Sequence, residues 1–326
     1  MSENTYTIWT NASFSEELTA RLIAGVAPHR LVFAEKLSAA NLATSPDDLQ
    51  LAAADIAFGQ PDPAQLMRLP NLRWAHLSTA GYTNYDNDDM RAALRARGAA
   101  LTTSSGVYDE PCAQHALAMM MALARQLPQS HETQRTDHAW YWGLRRRESY
   151  LLNGQTAILL GFGAIALRLC ELLAPFRMNL IGVRRAAHGN EPIKIITEAG
   201  LDAYLPLADH IVNILPANAA TTRYLDARKL SLMKPGVLFY NIGRGTTVDQ
   251  EALLAALHSG HIGTAYLDVT DPEPLPVDHP LWTAPRCYIT PHTAGGQREE
   301  YADMIDRFLD NLRSFTAGEP LAHRVI

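Results

Sequence analysis

The 326-residue sequence is poor in cysteine and has no concentration of basic charge. Its three cysteines, Cys112, Cys170 and Cys287, are odd in number and far apart, without a second Cys or His at metal-ligand spacing. We therefore expect reduced thiols and no metal site. The net charge of -6 and the pI near 6.0 argue against a nucleic-acid partner, because proteins that bind phosphate backbones carry a positive face.

Long apolar runs are absent as well. No stretch reaches the roughly 18 residues needed to cross a bilayer. The opening segment MSENTYTIWT lacks the basic region followed by an apolar one that marks a secretory signal. These features predict a cytoplasmic protein with no membrane partner. The one local basic run, Arg145 to Arg147, is shorter than a typical interaction tail, so we interpret it as a solvated turn.

The first hundred residues alternate short apolar runs with amphipathic ones, in a globular composition of 47% hydrophobic and 19% charged residues. A chain of this length predicts two domains, at roughly 150 residues each. Helices are predicted at Ser15 to Ala24 and Asp88 to Arg97, and alternation of strands with helices favours a parallel sheet. The predicted strands are Thr7 to Trp9, Leu31 to Phe33, Asp55 to Phe58, Arg73 to Leu77 and Ala99 to Thr102.

The rest of the chain begins with an apolar helical pattern from Glu110 to Leu127, which we interpret as a packing face. A polar stretch from Gln129 to Tyr150 follows, and strand and helix patterns resume at Thr156. The later strands lack polar alternation, as expected when helices cover both faces of a sheet. These patterns are strands TAILLGFG, NLIGV, HIVNILP, VLFYNIG, TAYLDV and CYITPH, and helices to Leu173, at Ala227 to Met233, Asp249 to Gly260 and Arg298 to Phe315.

The segment GFGAIA, residues 161–166, lies between a strand and a helix and has the pattern of a dinucleotide-binding turn. The first glycine allows the tight turn, the second lets the backbone approach a pyrophosphate, and Ala166 leaves room for close packing. The N-terminus of the helix offers free N–H groups to the phosphates. The predicted cofactor-binding residues here are Gly161, Phe162, Gly163, Ala164 and Ile165.

An acid is expected about 20 residues after this turn, where it would bind the ribose 2′-hydroxyl. The sequence has Arg184 and Arg185 there instead. A guanidinium cannot accept a hydrogen bond from a hydroxyl, but its fork of donors suits a phosphate. The hypothesis is a preference for NADP(H), with Arg184 as the main contact and Arg185 in support. The alternative is two arginines solvated on a loop.

Several motifs in order resemble the D-isomer-specific 2-hydroxyacid dehydrogenases. The resemblance is strong from Ser104 to Gly296 and looser through the N-terminal STAGYTNYD. It implies two doubly wound parallel-sheet α/β domains, with a Rossmann cofactor domain, residues 103–292, inserted into a flavodoxin-like substrate domain, residues 1–102 and 293–326, and the site in the cleft between them. The motifs are SSGVYDEPCAQHALAMMMALAR, HIVNILPANAATTRYL, LMKPGVLFYNIGRGTTVDQEALLAALHSGHIGTAYLDV, DPEPL and TPHTAGG.

The resemblance assigns three catalytic residues. Arg244, in NIGRG, matches the arginine that holds the substrate's carboxylate or carbonyl. His292, in TPHTAGG, matches the general acid and base, and Glu273, in DPEPL, matches its carboxylate partner. Formate dehydrogenases of the same superfamily have glutamine at the position of Glu273, so this residue indicates hydroxy acids.

The resemblance also assigns binding residues. The loop STAGYTN corresponds to the one whose backbone N–H groups bind the substrate carboxylate, which implicates Ala80, Gly81 and Tyr82. Asn218 departs from the family's usual threonine and weakens one cofactor contact. Tyr108 lies where the family varies and receives no role. The remaining predicted cofactor-binding residues are Leu215, Pro216, Thr221, Ile242, Gly243, Asp268 and Gly295.

The predicted function is reduction of a small 2-oxo acid, similar to glyoxylate or hydroxypyruvate, to a D-2-hydroxy acid with NAD(P)H, NADPH being favoured. The alternative is a non-catalytic, NAD(P)-sensing protein similar to the corepressors of the superfamily. It is less favoured because the catalytic set is intact and no basic or disordered extension is present. The resemblance implies a homodimer, with Trp140 or Trp142 as interface anchors or, alternatively, packed within their own chain.

Overall fold

The computed structural model describes residues 5–38 and 46–326. Their contacts divide the chain into two compact units: unit 1, Met1–Tyr108 with Gln297–Ile326, and unit 2, Asp109–Gly296. The sequence predicted these exchange points after residues 102 and 292. Both lie further along the chain, after Tyr108 and Gly296. At the second, the Asp268 carboxylate accepts hydrogen bonds from the N–H groups of Thr293 and Ala294, which ties both residues to unit 2.

Unit 1 is built on a five-stranded, all-parallel sheet in the order β2-β1-β3-β4-β5. This is the strand order of a flavodoxin-like, doubly wound fold. The strands are β1 Thr7–Ala12, β2 Arg30–Ser38, β3 Ile56–Gly59, β4 Trp74–Leu77 and β5 Ala100–Thr103. The helices are α1 Glu16–Val26, α2 Leu49–Ala52, α3 Pro63–Arg68, α4 Asp88–Ala96 and the C-terminal α12 Glu300–Ala317.

Successive strand residues in unit 1 point to opposite faces of the sheet, as the two-residue period of a strand requires. On β1, Ile8 packs with residues of α1 and α12, whereas Trp9 packs with residues of α2, α3 and α4. Both side chains are fully buried. Phe308 of α12 stacks on Phe58 of β3, so the last helix shares a core with the first strands.

Unit 2 contains a seven-stranded parallel sheet in the order β12-β11-β10-β9-β6-β7-β8. All of its strand pairs are parallel, which is the arrangement of a Rossmann domain with additional strands. The strands are β6 Thr156–Leu160, β7 Asn179–Val183, β8 Lys194–Ile196, β9 His210–Asn213, β10 Val237–Asn241, β11 Ile262–Leu267 and β12 Cys287–Ile289.

Helices surround this sheet, and short 3-10 turns connect several of the elements. Leu201, Leu230 and Leu253, from three of the helices, pack on buried strand residues in one apolar cluster. The helices are α5 Ser105–Ala124, α6 Leu127–Arg135, α7 Trp142–Glu148, α8 Ala164–Leu173, α9 Glu198–Tyr204, α10 Ala227–Leu232 and α11 Gln250–His258. The 3-10 turns are Thr83–Tyr85 in unit 1 and Ala174–Phe176, Leu205–Leu207, Gly245–Thr247 and Pro280–Thr283 in unit 2.

The predicted two-domain parallel architecture is confirmed, whereas several local predictions are wrong. Helix α5 begins at Ser105, five residues before the predicted start at Glu110, although it contains Pro111, a residue that usually marks a first turn. The polar stretch from Gln129 to Tyr150 contains most of α6 and all of α7. Neither helix buries a residue, so the sequence has no apolar periodicity from which to predict them.

Strand β8 and helix α9 were also not predicted, because both are short. The described residues include no helix that is long and apolar enough to span a membrane. The three cysteines are free thiols, buried at Cys112 and Cys170 and partly exposed at Cys287. Burial raises the pKa of the Cys170 and Cys287 thiols to about 12.

Candidate active site

The predicted cofactor and catalytic residues of unit 2 lie in loops that follow the carboxyl ends of its parallel strands. In a doubly wound sheet, ligands bind at this edge because the strand-to-helix loops converge there. These loops begin at Gly161 after β6, Arg184 after β7, Ile214 after β9, Ile242 after β10, Asp268 after β11 and Thr290 after β12.

The first of these loops leads into α8 through two glycines. Gly161 has φ +90°, a conformation that favours glycine, and a side chain there would lie 3.1 Å from the carbonyl oxygen of Ile214. Gly163 is the N-cap of α8 and gives the helix no side-chain cap, and the space where its Cβ would be is open. The first N–H groups of α8, at Ala164 and Ile165, are therefore free to bind an anion, which fits a dinucleotide pyrophosphate.

The loops that follow β9 and β10 approach each other at backbone distance. A side chain at Gly243 would lie 2.6 Å from the carbonyl oxygen of Leu215, so only glycine fits there. The loop that follows Pro216 closes on itself: the Thr221 hydroxyl donates to the Pro216 carbonyl at 2.6 Å, and Asn218 N–H donates to Thr221 Oγ1 at 2.9 Å. Ile242 is buried next to Gly243.

Arg184 does not lie free on its loop. Its Nη1 contacts Glu191 Oε1 at 3.0 Å, and its Nη2 lies 3.1 Å from His188 Nε2. The side chains of Arg184 and Glu191 are 24% and 8% exposed. The N–H of His188 contributes most to a pKa of about 2 for the Glu191 carboxyl, and Arg184 adds to this effect. Arg185 is exposed.

His292 and Glu273 form a hydrogen-bonded pair, with His292 Nδ1 2.8 Å from Glu273 Oε2. The other carboxylate oxygen accepts from Thr270 N–H at 3.0 Å, which fixes the carboxylate plane. Burial alone would raise the pKa of the Glu273 carboxyl, but the hydrogen bond from His292 and the charges of His292 and Arg244 leave it below its usual value. A carboxylate that accepts at Nδ1 leaves His292 Nε2 available to a ligand.

Arg244 lies close enough to Glu273 for their charges to interact, and it is partly buried. Its Nη1 donates to the Gly243 carbonyl oxygen at 2.6 Å, which orients the guanidinium. Burial lowers the pKa of Arg244 and the Glu273 carboxylate opposes that shift. The side chain stays cationic, because arginine does not lose its proton in proteins. The structure thus brings a histidine, a carboxylate and a guanidinium together.

The remaining predicted residues lie near this triad or in unit 1. Asp268 is buried and hydrogen-bonded to the loop that carries His292 and continues to Gly295. In unit 1, Ala80, Gly81 and Tyr82 follow β4, in a loop where Thr79 Oγ1 donates to the Gly81 carbonyl oxygen at 2.6 Å. Tyr108, which the sequence left without a role, donates to the Ser78 carbonyl oxygen at 2.8 Å.

Glu191 and Thr290 are among the residues that sequence reasoning missed and that the structure places in direct contact with predicted ones. Glu191 pairs with Arg184. The sequence shows it only as an acidic residue seven positions after Arg184 in a polar loop. Thr290, inside the quoted TPH motif, donates to Asp268 Oδ1 at 2.5 Å. Nothing in its position within the motif indicated that bond.

The doubly wound sheet of unit 2, its uncapped glycine turn and the triad at its carboxyl edge define a dinucleotide-dependent dehydrogenase. A family model described as "D-isomer specific 2-hydroxyacid dehydrogenase, NAD binding domain" matches residues 117–294. The chain belongs to this family and is therefore an NAD(P)-dependent 2-hydroxyacid dehydrogenase. The family resemblance predicted from the motifs is confirmed.

Individual relatives agree with this assignment. The glyoxylate/hydroxypyruvate reductase B of Citrobacter koseri is 33% identical over 262 residues, which cover 78% of each chain. A crystal structure of a D-isomer specific 2-hydroxyacid dehydrogenase family protein from Aeromonas salmonicida is 28% identical, covers 99% of each chain and has a TM-score of 0.76. A family member from Xanthobacter autotrophicus, solved with NADPH and MES, has the same fold at 24% identity, with 99% and 98% coverage and a TM-score of 0.82. The corepressor-like alternative is not favoured.

Proposed function

We propose that this protein reduces a small 2-oxo acid of the glyoxylate or hydroxypyruvate type to the D-2-hydroxy acid, with NADPH as the preferred donor. The observation that carries the proposal is the His292–Glu273 pair at 2.8 Å beside the partly buried Arg244. The reductase from Citrobacter koseri, whose name gives these two substrates, supports the substrate class.

The pair accounts for the proton that the reduction requires. The nicotinamide, when bound, supplies a hydride to the carbonyl carbon, and the carbonyl oxygen must then take up a proton. His292 holds that proton on Nε2, because its Nδ1 proton is engaged by Glu273. The Glu273 carboxylate holds the imidazole ring in one orientation through its bond to Nδ1.

Arg244 accounts for the orientation of the substrate and for stabilisation of the negative charge on its carbonyl oxygen. Its planar guanidinium is held by the bond to the Gly243 carbonyl, so its other donors point in fixed directions. They hold the substrate carbonyl or carboxylate and oppose the negative charge that develops on oxygen. The substrate-binding role of Ala80, Gly81 and Tyr82, and the cofactor contacts at Leu215, Pro216, Thr221, Ile242, Gly243, Asp268 and Gly295, stay predictions from the resemblance.

A panel of 2-oxo acids tests the proposal. Oxidation of NADPH at 340 nm is followed with glyoxylate, hydroxypyruvate, pyruvate and longer or branched 2-oxo acids, and we expect the highest kcat/KM with the two smallest polar substrates. Higher kcat/KM for a bulky 2-oxo acid would contradict the substrate class. Absence of turnover with every member would instead favour the cofactor-sensing alternative.

The NADPH preference depends on Arg184, and we propose that Arg185 assists it. We expect Arg184→Ala to raise the KM for NADPH by about 10- to 100-fold, the value of a charge-assisted hydrogen bond to phosphate, and the KM for NADH by less than about threefold. Glu191→Gln should lower the KM for NADPH, because Glu191 is the anion that occupies Arg184 in the structure. Calorimetry with adenosine 2′,5′-bisphosphate measures the same contacts without turnover.

Arg228→Ala is the matched control for this prediction. Arg228 pairs with Asp202 on the surface of the same unit, so its loss should change neither coenzyme constant. A wild-type enzyme that prefers NADH, together with an Arg184→Ala variant that binds the bisphosphate normally, would contradict the NADPH proposal. In that case Glu191 would be the acid that receives the ribose hydroxyl.

We also propose a homodimer. Trp140 and Trp142 are 89% and 66% exposed, so neither packs within its own unit, and exposed tryptophans are typical interface anchors. Tyr141 and Leu144 extend the exposed apolar surface. Static light scattering should give about twice the 35.9 kDa of one chain. A mass that stays at 35.9 kDa across the concentration range would contradict the dimer.

A further inference from the structure

A chain of four side chains lies directly behind the loop that carries His292. It begins on helix α5 with His115, whose Nε2 contacts the Tyr266 hydroxyl of β11. The Tyr266 hydroxyl lies 2.6 Å from Thr290 Oγ1, and Thr290 donates to Asp268 Oδ1 at 2.5 Å. The chain therefore links α5, strand β11, the residue after edge strand β12 and the loop after β11.

The direction of every hydrogen bond in this chain follows from the acceptor at its end. A carboxylate only accepts, so the single hydroxyl proton of Thr290 is committed to Asp268. Tyr266 must then donate to Thr290, and its own oxygen must accept from His115. His115 is therefore protonated on Nε2, and its additional approach to Thr290 Oγ1, at 3.4 Å, suits a shared donor.

The histidine acts in this chain as a neutral donor. Burial lowers the pKa of His115, and the Asp268 carboxylate opposes that shift without reversing it. Asp268 Oδ1 lies 3.9 Å from His115 Nε2, and the Asp268 side chain is 1% exposed. The carboxylate is thus stabilised by directed hydrogen bonds from neutral groups.

Asp268 in turn holds the His292 loop by its backbone. The N–H of His292 donates to the Asp268 carbonyl oxygen at 2.8 Å, and those of Thr293 and Ala294 donate to its two carboxylate oxygens, each at 2.9 Å. His292 has φ +53°, a left-handed conformation that a residue with a side chain rarely adopts unless its surroundings impose it. These three bonds impose that conformation and so aim the imidazole at Glu273.

We propose that His115, Tyr266 and Thr290 are positioning residues for the acid–base step, and that they act by orienting the Asp268 carboxylate that clamps the His292 turn. None of the three received a role from the family resemblance, which placed Asp268 near the nicotinamide only. The inference depends on His292 as the proton donor and is independent of which 2-oxo acid is the substrate.

The test compares two tyrosines on neighbouring strands of the same sheet. Tyr266→Phe removes the middle of the chain, whereas Tyr240→Phe removes an equally buried hydroxyl that bonds to His210 at 3.1 Å and has no connection to Asp268. We expect Tyr266→Phe to lower kcat by about 3- to 10-fold, the value of one net hydrogen bond, with the KM of the 2-oxo acid within about twofold. Tyr240→Phe should leave kcat unchanged.

Thr290 and His115 provide conservative rescue. Thr290→Val should lower kcat as Tyr266→Phe does, and Thr290→Ser, which keeps the hydroxyl, should restore it to within about twofold. His115→Phe should act in the same direction, while His115→Gln keeps a donor near Tyr266 and should lose less. Amide hydrogen exchange measured by mass spectrometry should show faster exchange across residues 291–296 in Thr290→Val, Tyr266→Phe and His115→Phe, and wild-type exchange in Tyr240→Phe and Thr290→Ser.

The exchange measurement separates failure of this inference from failure of the proposed function. If no 2-oxo acid is turned over but Thr290→Val still accelerates exchange in residues 291–296, the positioning inference holds and the function does not. Unchanged exchange and unchanged kcat in both Thr290→Val and Tyr266→Phe would overturn the inference. Equal kcat losses in Tyr266→Phe and Tyr240→Phe would overturn it too, because they would show a general packing effect.

Discussion

Replacement of His292 by asparagine is expected to lower kcat for 2-oxo acid reduction by about 10³-fold, within the range of roughly 10² to 10⁴ that positioned acid–base groups contribute. Asparagine is chosen because its amide nitrogen can still donate to Glu273 Oε2, as His292 Nδ1 does at 2.8 Å. The variant therefore keeps the loop contact and loses only the proton that Nε2 supplies. Steady-state kinetics at saturating NADPH measure the loss.

Binding of NADPH should be almost unaffected in this variant, which fluorescence titration checks. A His292→Asn enzyme that retains more than about a tenth of the wild-type kcat would contradict the acid–base assignment. A side chain that transfers the proton in the transition state contributes at least about 10²-fold to the rate. A variant that has lost both kcat and NADPH binding would instead report damage to the loop.

Glu273→Gln is the milder companion of that variant. In the wild type the pKa of Glu273 lies below its usual value, so the carboxylate is ionised near neutral pH. Glutamine can still accept from His292 Nδ1 but carries no charge, so its hydrogen bond to the ring is weaker. We therefore expect a loss of kcat smaller than that of His292→Asn, measured by the same steady-state kinetics. A kcat equal to the wild-type value would contradict a role for the Glu273 charge.

Much of the fold was predictable because its signals are local. The glycines of GFGAIA are required by the tight turn at Gly161 and by the open, uncapped start of α8 at Gly163, and both requirements are visible as residue types. The buried parallel strand β6 contains a continuous apolar run, Ala157 to Leu160, which the sequence alone identifies. Asp249 caps α11 by accepting from Ala252 N–H, as its position predicted.

Other features could not be predicted because they depend on distant partners. Helices α6 and α7 bury no residue, so their sequences carry no core-facing period. Glu191 was not recognised because its contact with Arg184 depends on the path of the loop between them, which the sequence does not specify. The chain from His115 to Asp268 joins residues up to 175 positions apart, and no spacing rule connects them.

The role predicted for Asp268 differs from the contacts that its carboxylate makes in the structure. Its identity was predicted from the family motif as a contact near the nicotinamide, yet its carboxylate oxygens accept from Thr290, Thr293 and Ala294 of its own unit. The family motif therefore predicted which residue occupies this position, but it did not predict the hydrogen bonds that the Asp268 carboxylate accepts.

Replacement of Arg244 by methionine is expected to lower kcat/KM for the 2-oxo acid by about 10²- to 10³-fold, the cost of removing one preorganised donor from a developing oxyanion. Arg244 is partly buried and its guanidinium is oriented by the Gly243 carbonyl, so mobile water is a poor replacement for its fixed donors. Arg244→Lys restores a positive charge without the planar fork and should recover only part of the loss.

The control for Arg244 is Arg228→Met, which removes an exposed guanidinium from the same unit and should leave kcat/KM unchanged. The loss at Arg244 should appear in both kcat and KM, because in the proposed role the side chain binds the substrate and also opposes charge on its oxygen. If Arg244→Met raised KM alone, the guanidinium would contribute only uniform binding, and the charge on the oxygen would have to be opposed by His292. If Arg244→Lys were as active as the wild type, a point charge would suffice, and the fork held by Gly243 would have no part in orienting the substrate.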